Sequence, residues 1–193
     1  MVRRRIGLFG GTFDPVHSGH FLVAQAAMEE AQLDRLFFIP AARSPFKESS
    51  IPSSGEDRLK WLRLSLSGQS RFEVDSSEVQ RGGVSFAIDT VRSYQSRFPD
   101  AQLCYLIGAD HIEKLLLWRE AVTLAESLEF LVVPRPGEKK ASLPEPFKGS
   151  YLSGFPCQIS ASMIRERVRM ALPISGLVSS FVEEDIVNRR IYR

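Results

Sequence analysis

The chain has 193 residues, 44% of them hydrophobic, and its formal net charge at pH 7 is +2. This length corresponds to one ordinary domain, and the hydrophobic content is sufficient for a packed core, which excludes wholesale disorder. A charge so close to balance argues against a nucleic-acid partner, because nucleic-acid-binding proteins concentrate basic residues on one face.

Neither the apolar runs nor the cysteines indicate secretion or membrane insertion. The basic run Arg3-Arg4-Arg5 precedes an apolar stretch that is too short for a signal or transit peptide. No apolar run approaches the roughly 20 residues that span a bilayer. Cys104 and Cys157 are isolated in apolar surroundings, which is typical of free thiols in a reducing compartment. We therefore expect a cytoplasmic protein with no membrane partner.

Short apolar runs alternate with amphipathic segments along most of the chain. The predicted strands are Ile6–Phe9, Leu36–Ile39, Phe72–Val74, Leu103–Ile107 and Leu128–Val133. The predicted helices are Gly19–Ala31, Gly55–Ser67, Phe86–Phe98, one or two helices within Asp110–Ala125, a helix beginning near Ser160, and Leu177–Arg189. This alternation favours a parallel sheet with helices on both faces, a Rossmann-like α/β fold. We expect one domain over residues 1–193, with a small helical part at about 160–193.

The connections between these elements point to the edge of the sheet where ligands bind. Gly10, Pro40, Gly108 and Pro134 mark the carboxyl ends of four predicted strands. Ligands of open parallel sheets bind beyond these ends. Residues 134–157 are rich in Pro, Gly, Lys and Ser and predict a long surface loop, and residues 43–55 predict a second loop that can move.

Residues 8–20, LFGGTFDPVHSGH, carry the strongest chemical signal in the chain. A strand that ends at Gly10-Gly11 and leads to a helix start predicts a phosphate site, because free backbone N–H groups and the helix dipole face one point. His17 and His20 are spaced i, i+3 on the first turn and share a face of the helix. We expect both imidazoles to interact with phosphate charge.

A second anion-binding pattern is present in residues 159–165, ISASMIR. Ser160 or Ser162 is placed to cap a helix, and a serine-rich helix start presents hydroxyl and free N–H groups to an anion. Arg165 lies one turn further on the same side of the helix.

These motifs resemble the signatures of the nucleotidylyltransferase superfamily. The first reads GGTFDPVHSGH and the last reads ISASMIRERV at 159–168, a pair also present in phosphopantetheine adenylyltransferases. The middle motifs, LIGADHIEKLLLWRE at 106–120 and VVPRPG at 132–137, are similar to those of bacterial nicotinate-nucleotide adenylyltransferases. FIPAARSPFK, SFAIDT at 85–90 and the C-terminal RRIYR extend this resemblance from Gly7 to the end of the chain.

The resemblance implies transfer of the adenylyl group of ATP to nicotinate mononucleotide, which gives deamido-NAD and pyrophosphate in NAD biosynthesis. The 5′-phosphate would attack the α-phosphorus of ATP in line, without a covalent intermediate. Such an anion is already nucleophilic, so the protein must position two anions and needs no general base. The resemblance also implies Mg²⁺ bound with ATP mainly through phosphate oxygens, no metal ligands from the chain, and the possibility of a homo-oligomer.

Roles in ATP binding follow from the resemblance residue by residue. The catalytic residues would be His17, His20 and Arg165, with His20 toward the α-phosphoryl group and Arg165 on the departing phosphates. The remaining implied ATP contacts are Gly10, Gly11, Thr12, Phe13, Gly108, Asp110, Ile159 and Ser160, with Gly108 and Asp110 at the ribose.

Roles in mononucleotide binding also come from the resemblance. Trp118 would stack on the pyridine ring, and Lys47 would close over the mononucleotide phosphate from the 43–55 loop. Thr12 and Phe13 would lie between the two substrates. The other implied contacts are Ser85, Thr90 and Arg135.

Four positions depart from the family pattern. Phe46 replaces the histidine of PPHK, Phe86-Ala87 replace the last two residues of SYT, and Ala161 stands in ISAS for the usual ISST. Two alternatives stay open: a related adenylyltransferase acting on phosphopantetheine or nicotinamide mononucleotide, and a nucleotide-binding sensor without catalysis. A sensor would be expected to lack a motif histidine or arginine, and this chain has both.

Overall fold

A computed structural model describes residues 3–46, 52–134, 137, 140–155 and 157–193. Its centre is a six-stranded sheet in the order β3-β2-β1-β4-β5-β6, and every neighbouring pair of strands is parallel. The strands are β1 Arg5–Gly11, β2 Arg35–Pro40, β3 Phe72–Val74, β4 Gln102–Gly108, β5 Glu129–Val133 and β6 Gly149–Tyr151.

Helices fill most of the connections between strands. They are α1 Ser18–Glu30, α2 Gly55–Ser65, α3 Ser77–Arg81, α4 Ala87–Arg97, a 3₁₀ helix Ala109–Leu117, α5 Ala121–Ser127, α6 Ala161–Arg169 and α7 Ser180–Asn188. The predicted strands and long helices are therefore present, with ends that differ from the prediction by at most three residues.

The two faces of the sheet carry separate apolar clusters. Along β4, Cys104 and Leu106 belong to one cluster, while Leu103, Tyr105 and Ile107 belong to the other. The first cluster is covered by α1, α2, α6 and α7, and the second by α4, the 3₁₀ helix and α5. Successive strand residues point to opposite faces, so a strand buried on both sides reads as an unbroken apolar run. The predicted α/β fold with helices on both faces is confirmed.

The chain changes direction across the sheet between β1 and β4. From β1 it proceeds outward through β2 and β3 on one side, and then returns to β4 and proceeds through β5 and β6 on the other. At such a switch point the connections leave the carboxyl ends of the two central strands in opposite directions, which opens a crevice. Gly10 and Gly11 end β1 and Gly108 ends β4, so the glycines of the sequence motifs lie at this crevice.

Two elements were missed by the sequence patterns. The predicted surface loop at 134–157 contains β6, flanked by the buried residues Phe147 and Leu152. Gly149 permits this pairing, because a side chain there would collide with the Phe130 carbonyl group on β5. The other missed element is α3, a single short helix at Ser77–Arg81. β6 has the sequence Gly-Ser-Tyr, which is not an apolar run, and α3 is too short to show a helical period.

The described helices include none that is both long and apolar enough to span a membrane. Cys104 and Cys157 are free thiols, as predicted, although only Cys104 is fully buried.

Candidate active site

Two cavities open side by side at the carboxyl edge of the sheet. The smaller, about 410 Å³, is here called the tryptophan cavity. It is lined by Phe9, Gly10, Gly11, Thr12, Ala41, Ser44, Pro45, Phe46, Glu78, Ser85, Phe86, Ala87, Tyr105, Leu106, Ile107, Gly108, His111, Leu117, Trp118 and Arg119.

The larger, about 1270 Å³, is here called the histidine cavity. It is lined by Phe9, Thr12, Phe13, Asp14, His17, Gly19, His20, Val23, Pro52, Ser53, Gly108, Val133, Pro134, Phe155, Cys157, Gln158, Ile159, Ser160, Ala161, Ser162, Arg165, Arg169, Ile191 and Tyr192.

The two cavities share a wall. Phe9, Thr12 and Gly108 line both of them. These residues lie at the ends of β1 and β4, where the switch point opens the crevice. Two ligands bound in the two cavities would therefore meet at the carboxyl end of β1.

The histidine pair is held by the first turn of α1. The two rings stack with centroids 3.7 Å apart, and the backbone N–H of His17 donates to Nδ1 of His20 at 3.2 Å. Because Nδ1 of His20 accepts this bond, a neutral His20 carries its proton on Nε2. His20 is thereby fixed as an N–H donor in the wall of the histidine cavity.

His17 is electrically neutral in the unliganded protein at neutral pH. The residue is only 6% exposed, and burial lowers its pKa to about 4. Its Nδ1 atom has no hydrogen-bond partner among the described residues. A buried ring nitrogen without a partner costs free energy, which a ligand in the cavity could recover by supplying that partner.

The side chain of Phe13 packs against the ring of His20. Its backbone lies in the left-handed region, with φ of 51°, and its side chain is 1% exposed. The Phe13 ring meets the His20 ring edge to face at 4.9 Å and the Phe9 ring at 5.4 Å. Phe13 therefore lines the histidine cavity and fixes His20, whereas Thr12 is the motif residue on the wall between the cavities.

The start of α6 faces the start of α1 across the histidine cavity. Ser160 caps α6, and its hydroxyl oxygen accepts the Met163 N–H at 3.2 Å. Arg165 donates from Nη1 to the Asp14 carbonyl oxygen at 2.7 Å and from Nη2 to the Ser162 hydroxyl at 3.2 Å. Arg165 and two helix N-termini thus line one cavity, which is an arrangement suited to a polyphosphate.

Asp14 lines this cavity, and its carboxylate is held by hydrogen bonds within the protein. Its carboxylate accepts the Tyr192 hydroxyl at 2.6 Å and the Ser53 N–H at 3.3 Å. Tyr192 lies near the C-terminus, so the end of the chain braces the signature turn. Both oxygen atoms of the Asp14 carboxylate therefore accept hydrogen bonds from other residues of the protein.

Arg58 joins the ends of the first two strands. Its guanidinium is 1% exposed and donates to three backbone carbonyl oxygens, those of Thr12 at 2.8 Å, Ala41 at 2.8 Å and Ser53 at 3.0 Å. Burial lowers the pKa of the Arg58 guanidinium, but an arginine side chain stays charged in proteins. This buried cation fixes Thr12, the residue on the wall between the cavities.

The tryptophan cavity has an aromatic lining. The Trp118 ring contacts Tyr105 and Phe130 on the core side, at centroid distances of 6.0 and 6.4 Å. Phe46 and His111 lie 6.2 and 5.9 Å from it. Trp118 therefore lies between core and cavity, as its sequence context predicts, and a flat apolar ligand ring would find an aromatic surface there.

Gly10 allows the backbone of β1 to form part of this cavity. A side chain at Gly10 would collide with the hydroxyl group of Tyr105, which lies on the neighbouring strand β4. A residue with a Cβ atom at this position would require the Tyr105 hydroxyl to move.

Ser85 and Glu78 are polar residues of the cavity lining, and Thr90 contacts Glu78 from outside the lining. The Ser85 hydroxyl accepts the Ala42 N–H at 2.9 Å, and the Thr90 hydroxyl donates to a Glu78 carboxyl oxygen. Thr90 is 1% exposed and does not line either cavity, so its hydroxyl acts on Glu78 and a direct contact with a ligand is not supported.

The structure brings most of the predicted site residues to these two cavities. Asp110 is exposed and lines neither cavity, but its carboxylate occupies the place where a Cβ atom of residue 108 would lie, so Gly108 on the shared wall leaves room for it. Lys47 and Arg135 lie outside the described residues.

Several lining or supporting residues were missed by the sequence patterns. They are Tyr105, His111, Glu78 and Arg58. Tyr105 reads as one residue of an apolar strand, Arg58 reads as a charge on a predicted helix, and Glu78 lies outside every predicted element. His111 follows the motif residue Asp110 directly, and this adjacency is the one signal that could have marked it.

Among the described residues no group of three or more His, Cys, Asp or Glu is arranged to hold a metal ion. The acidic side chain nearest the histidine pair along the chain, Asp14, is bonded to Tyr192 and Ser53.

The fold and the two cavities define a class of protein. A parallel sheet with paired imidazoles and an arginine around one cavity, and an aromatic second cavity beyond a shared wall, has the features of a nucleotidyltransferase.

Comparison with proteins of similar sequence shows which family of nucleotidyltransferases the chain belongs to. Residues 8–167 match the cytidylyltransferase-like family model. The chain is 38% identical over 192 residues to "Probable nicotinate-nucleotide adenylyltransferase" of Opitutus terrae, with 98% of both chains covered. A protein of the same name from Shouchella clausii is 39% identical, with 98% of this chain and 97% of the relative covered. The chain belongs to the cytidylyltransferase-like family, among the relatives named nicotinate-nucleotide adenylyltransferases.

Solved structures agree on the fold. A Plasmodium falciparum nicotinic acid mononucleotide adenylyltransferase complexed with NaAD superimposes with a TM-score of 0.80 at 17% identity, covering 98% of this chain and 97% of the other. The same enzyme complexed with APC gives a TM-score of 0.79 at 16% identity, with the same coverage.

The neutral state of His17 predicts a pH dependence of stability. The pKa of His17 is about 4 in the folded protein and 6.5 in an unperturbed chain, so the unfolded state binds more protons between these values. The free energy of unfolding should therefore fall as the pH drops from 6.5 to 4, by up to about 3 kcal/mol from this residue. Urea unfolding at several pH values should show this fall in the wild type and a weaker one in His17→Gln. If the free energy of unfolding depended on pH equally in the two proteins, the lowered pKa of His17 would be contradicted.

Proposed function

We propose that this protein transfers the adenylyl group of ATP to nicotinate mononucleotide, giving deamido-NAD and pyrophosphate. The observation that carries the proposal is the shared wall, since Phe9, Thr12 and Gly108 line both an anion-binding cavity and an aromatic one. A reaction that joins two nucleotides needs both reactants to meet at one point, and the carboxyl end of β1 provides that point.

ATP occupies the histidine cavity, with its triphosphate between the N-termini of α1 and α6. His20 donates from Nε2, and Arg165 and the backbone N–H groups of α6 hold the phosphates that leave as pyrophosphate. These groups stabilise the negative charge that develops on the leaving group. They are preorganised, because His20 is fixed by its bond to His17 and Arg165 by its bond to Asp14.

The mononucleotide occupies the tryptophan cavity, with its pyridine ring against Trp118. The carboxylate of nicotinate needs donors that its amide counterpart does not, and the start of α4 offers free backbone N–H groups on the cavity wall at Ala87. Arg119 also lines the cavity, where its guanidinium lies 4.8 Å above the Phe86 ring. A helix N-terminus and a nearby cation favour the acid over the amide.

The 5′-phosphate of the mononucleotide is itself the nucleophile. It is an anion at neutral pH, so no residue has to remove a proton before attack. The protein must overcome the repulsion between two polyanions and align oxygen, α-phosphorus and leaving group. Thr12, held on the shared wall by Arg58, lies where the two phosphates meet. Direct attack leaves no role for a covalent enzyme intermediate.

Mg²⁺ enters as part of the ATP substrate, bound mainly by triphosphate oxygens, which suits hard oxygen ligands and partial hydration. It supplies charge neutralisation on the phosphates. Possible association of the chain into a homo-oligomer stays a prediction.

The test of this proposal is an acceptor comparison. Purified protein with Mg²⁺ and ATP should release pyrophosphate with nicotinate mononucleotide, more slowly with nicotinamide mononucleotide, and not with phosphopantetheine, and mass spectrometry should detect deamido-NAD. Nucleotide binding without pyrophosphate release from any acceptor would favour a sensor instead.

Replacing His20 should damage turnover more than binding. His20→Ala should lower kcat by at least roughly a hundredfold, the size expected for loss of one transition-state donor, while the melting temperature changes little. His17→Ala should do similar or less damage to kcat. Steady-state kinetics and thermal melts of both variants provide the measurement, and near-normal turnover of the His20 variant would remove it from the catalytic group.

Replacing Trp118 should weaken the binding of the mononucleotide more than the binding of ATP. An aromatic stacking contact contributes on the order of 1 kcal/mol beyond area burial, so Trp118→Ala should raise the KM for nicotinate mononucleotide about tenfold and that for ATP much less. Leu116→Ala is the matched control, because Leu116 is 57% exposed and lines neither cavity. Equal effects on both KM values would place Trp118 in a shared supporting role.

A further inference from the structure

The tryptophan cavity contains a buried carboxyl group that the proposed reaction does not use. Glu78, on the short helix α3, lines this cavity and is 4% exposed. A carboxylate is among the groups least often buried without a cationic partner. Its presence is unexpected in a cavity that we assign to a ligand with two negative groups.

The hydrogen-bonding partners of Glu78 are neutral. The Thr90 hydroxyl donates to its Oε1 atom, and the Ser85 hydroxyl is a second partner. Among the described residues Glu78 forms no ion pair with Lys or Arg. Burial raises the pKa of Glu78, and the two hydroxyl bonds offset this only in part.

Charged and titratable groups around Glu78 do not neutralise it. Asp75, which precedes α3, further disfavours the ionised form of Glu78. Arg81, at the end of α3, favours the ionised form, but by less than burial opposes it. Tyr105 faces Glu78 from β4, and burial together with Glu78 raises the pKa of its hydroxyl. His111 and Arg119 line the cavity, but neither makes an ion pair with Glu78.

We propose that Glu78 is a specificity-determining residue whose neutral form favours the binding of a carboxylate-bearing pyridine nucleotide. This inference rests on the proposed function, which seats nicotinate mononucleotide in the tryptophan cavity. When Glu78 is protonated, the cavity wall is a neutral hydrogen-bonding surface. When it is ionised, the wall carries a negative charge that repels the nicotinate carboxylate.

The amide substrate provides an internal control for this repulsion. Nicotinamide mononucleotide has the same ribose and phosphate but no pyridine carboxylate, so the ratio of the two dissociation constants cancels phosphate ionisation. Because the neutral form of a carboxyl group is lost as pH rises, the preference for the acid should be largest at low pH and should fall as Glu78 ionises.

The experiment measures dissociation constants of both mononucleotides by isothermal titration calorimetry with the whole protein, over the full pH range in which it stays folded. In the wild type the preference for the acid should fall roughly tenfold as rising pH converts Glu78 from its neutral to its ionised form, the order expected for one like charge nearby. In Glu78→Gln, which keeps the shape and stays neutral, the preference should be high and independent of pH. Glu73→Gln, a matched change at a carboxylate ion-paired with Arg35 on the surface, should behave as the wild type.

A second variant moves the transition without touching Glu78. The Thr90 hydroxyl bond lowers the pKa of Glu78, so Thr90→Val should shift the fall in preference to higher pH. Equal pH dependence in wild type and Glu78→Gln, or an unshifted transition in Thr90→Val, would overturn the inference. If deamido-NAD forms but the preference does not change with pH, this inference fails and the proposed function stands. If the preference changes as described but no dinucleotide forms, the proposed function fails and the inference about binding stands.

Discussion

The carboxyl ends of the neighbouring strands β1 and β4 lie side by side at the centre of the sheet, and the rest of the structure depends on this constraint. The chain turns in opposite directions after these two strands, so their ends cannot be covered and a crevice opens between them. β1 ends in two glycines, and Gly10 lets the backbone pass close to the Tyr105 hydroxyl. The two cavities share a wall because one strand end forms part of both. Proximity of the reactants is thus a property of the sheet topology.

Residues distant in sequence hold this strand end in place. The Arg58 guanidinium ties the carbonyl groups of Thr12, Ala41 and Ser53 together, and Tyr192 and Arg165 bind Asp14 from the C-terminal part of the chain. α6 and α7 also share an apolar cluster with α1 and α2. The C-terminal helices therefore brace the anion-binding cavity, and function depends on packing that is far from the reacting atoms.

Much of this arrangement could be predicted from the sequence, and the exceptions have physical reasons. The strands buried on both faces and the long helices have clear periods, and His17, His20, Ser160 and Arg165 lie in local motifs that fix their places. β6 is not an apolar run, and α3 is too short to show a period. Glu78 and Arg58 were missed because their roles come from partners that only the fold brings near. A local pattern can indicate a turn or a cap, but it cannot indicate which charge becomes buried.

The central claim is that the protein aligns two anions for one direct transfer and contributes no nucleophile of its own. The most direct test is the stereochemical course at the α-phosphorus, measured by ³¹P NMR with ATP made chiral by sulfur at that position. A single in-line attack by the mononucleotide phosphate predicts inversion of configuration in the dinucleotide product. Retention would require two successive displacements through an enzyme-bound intermediate and would contradict this account.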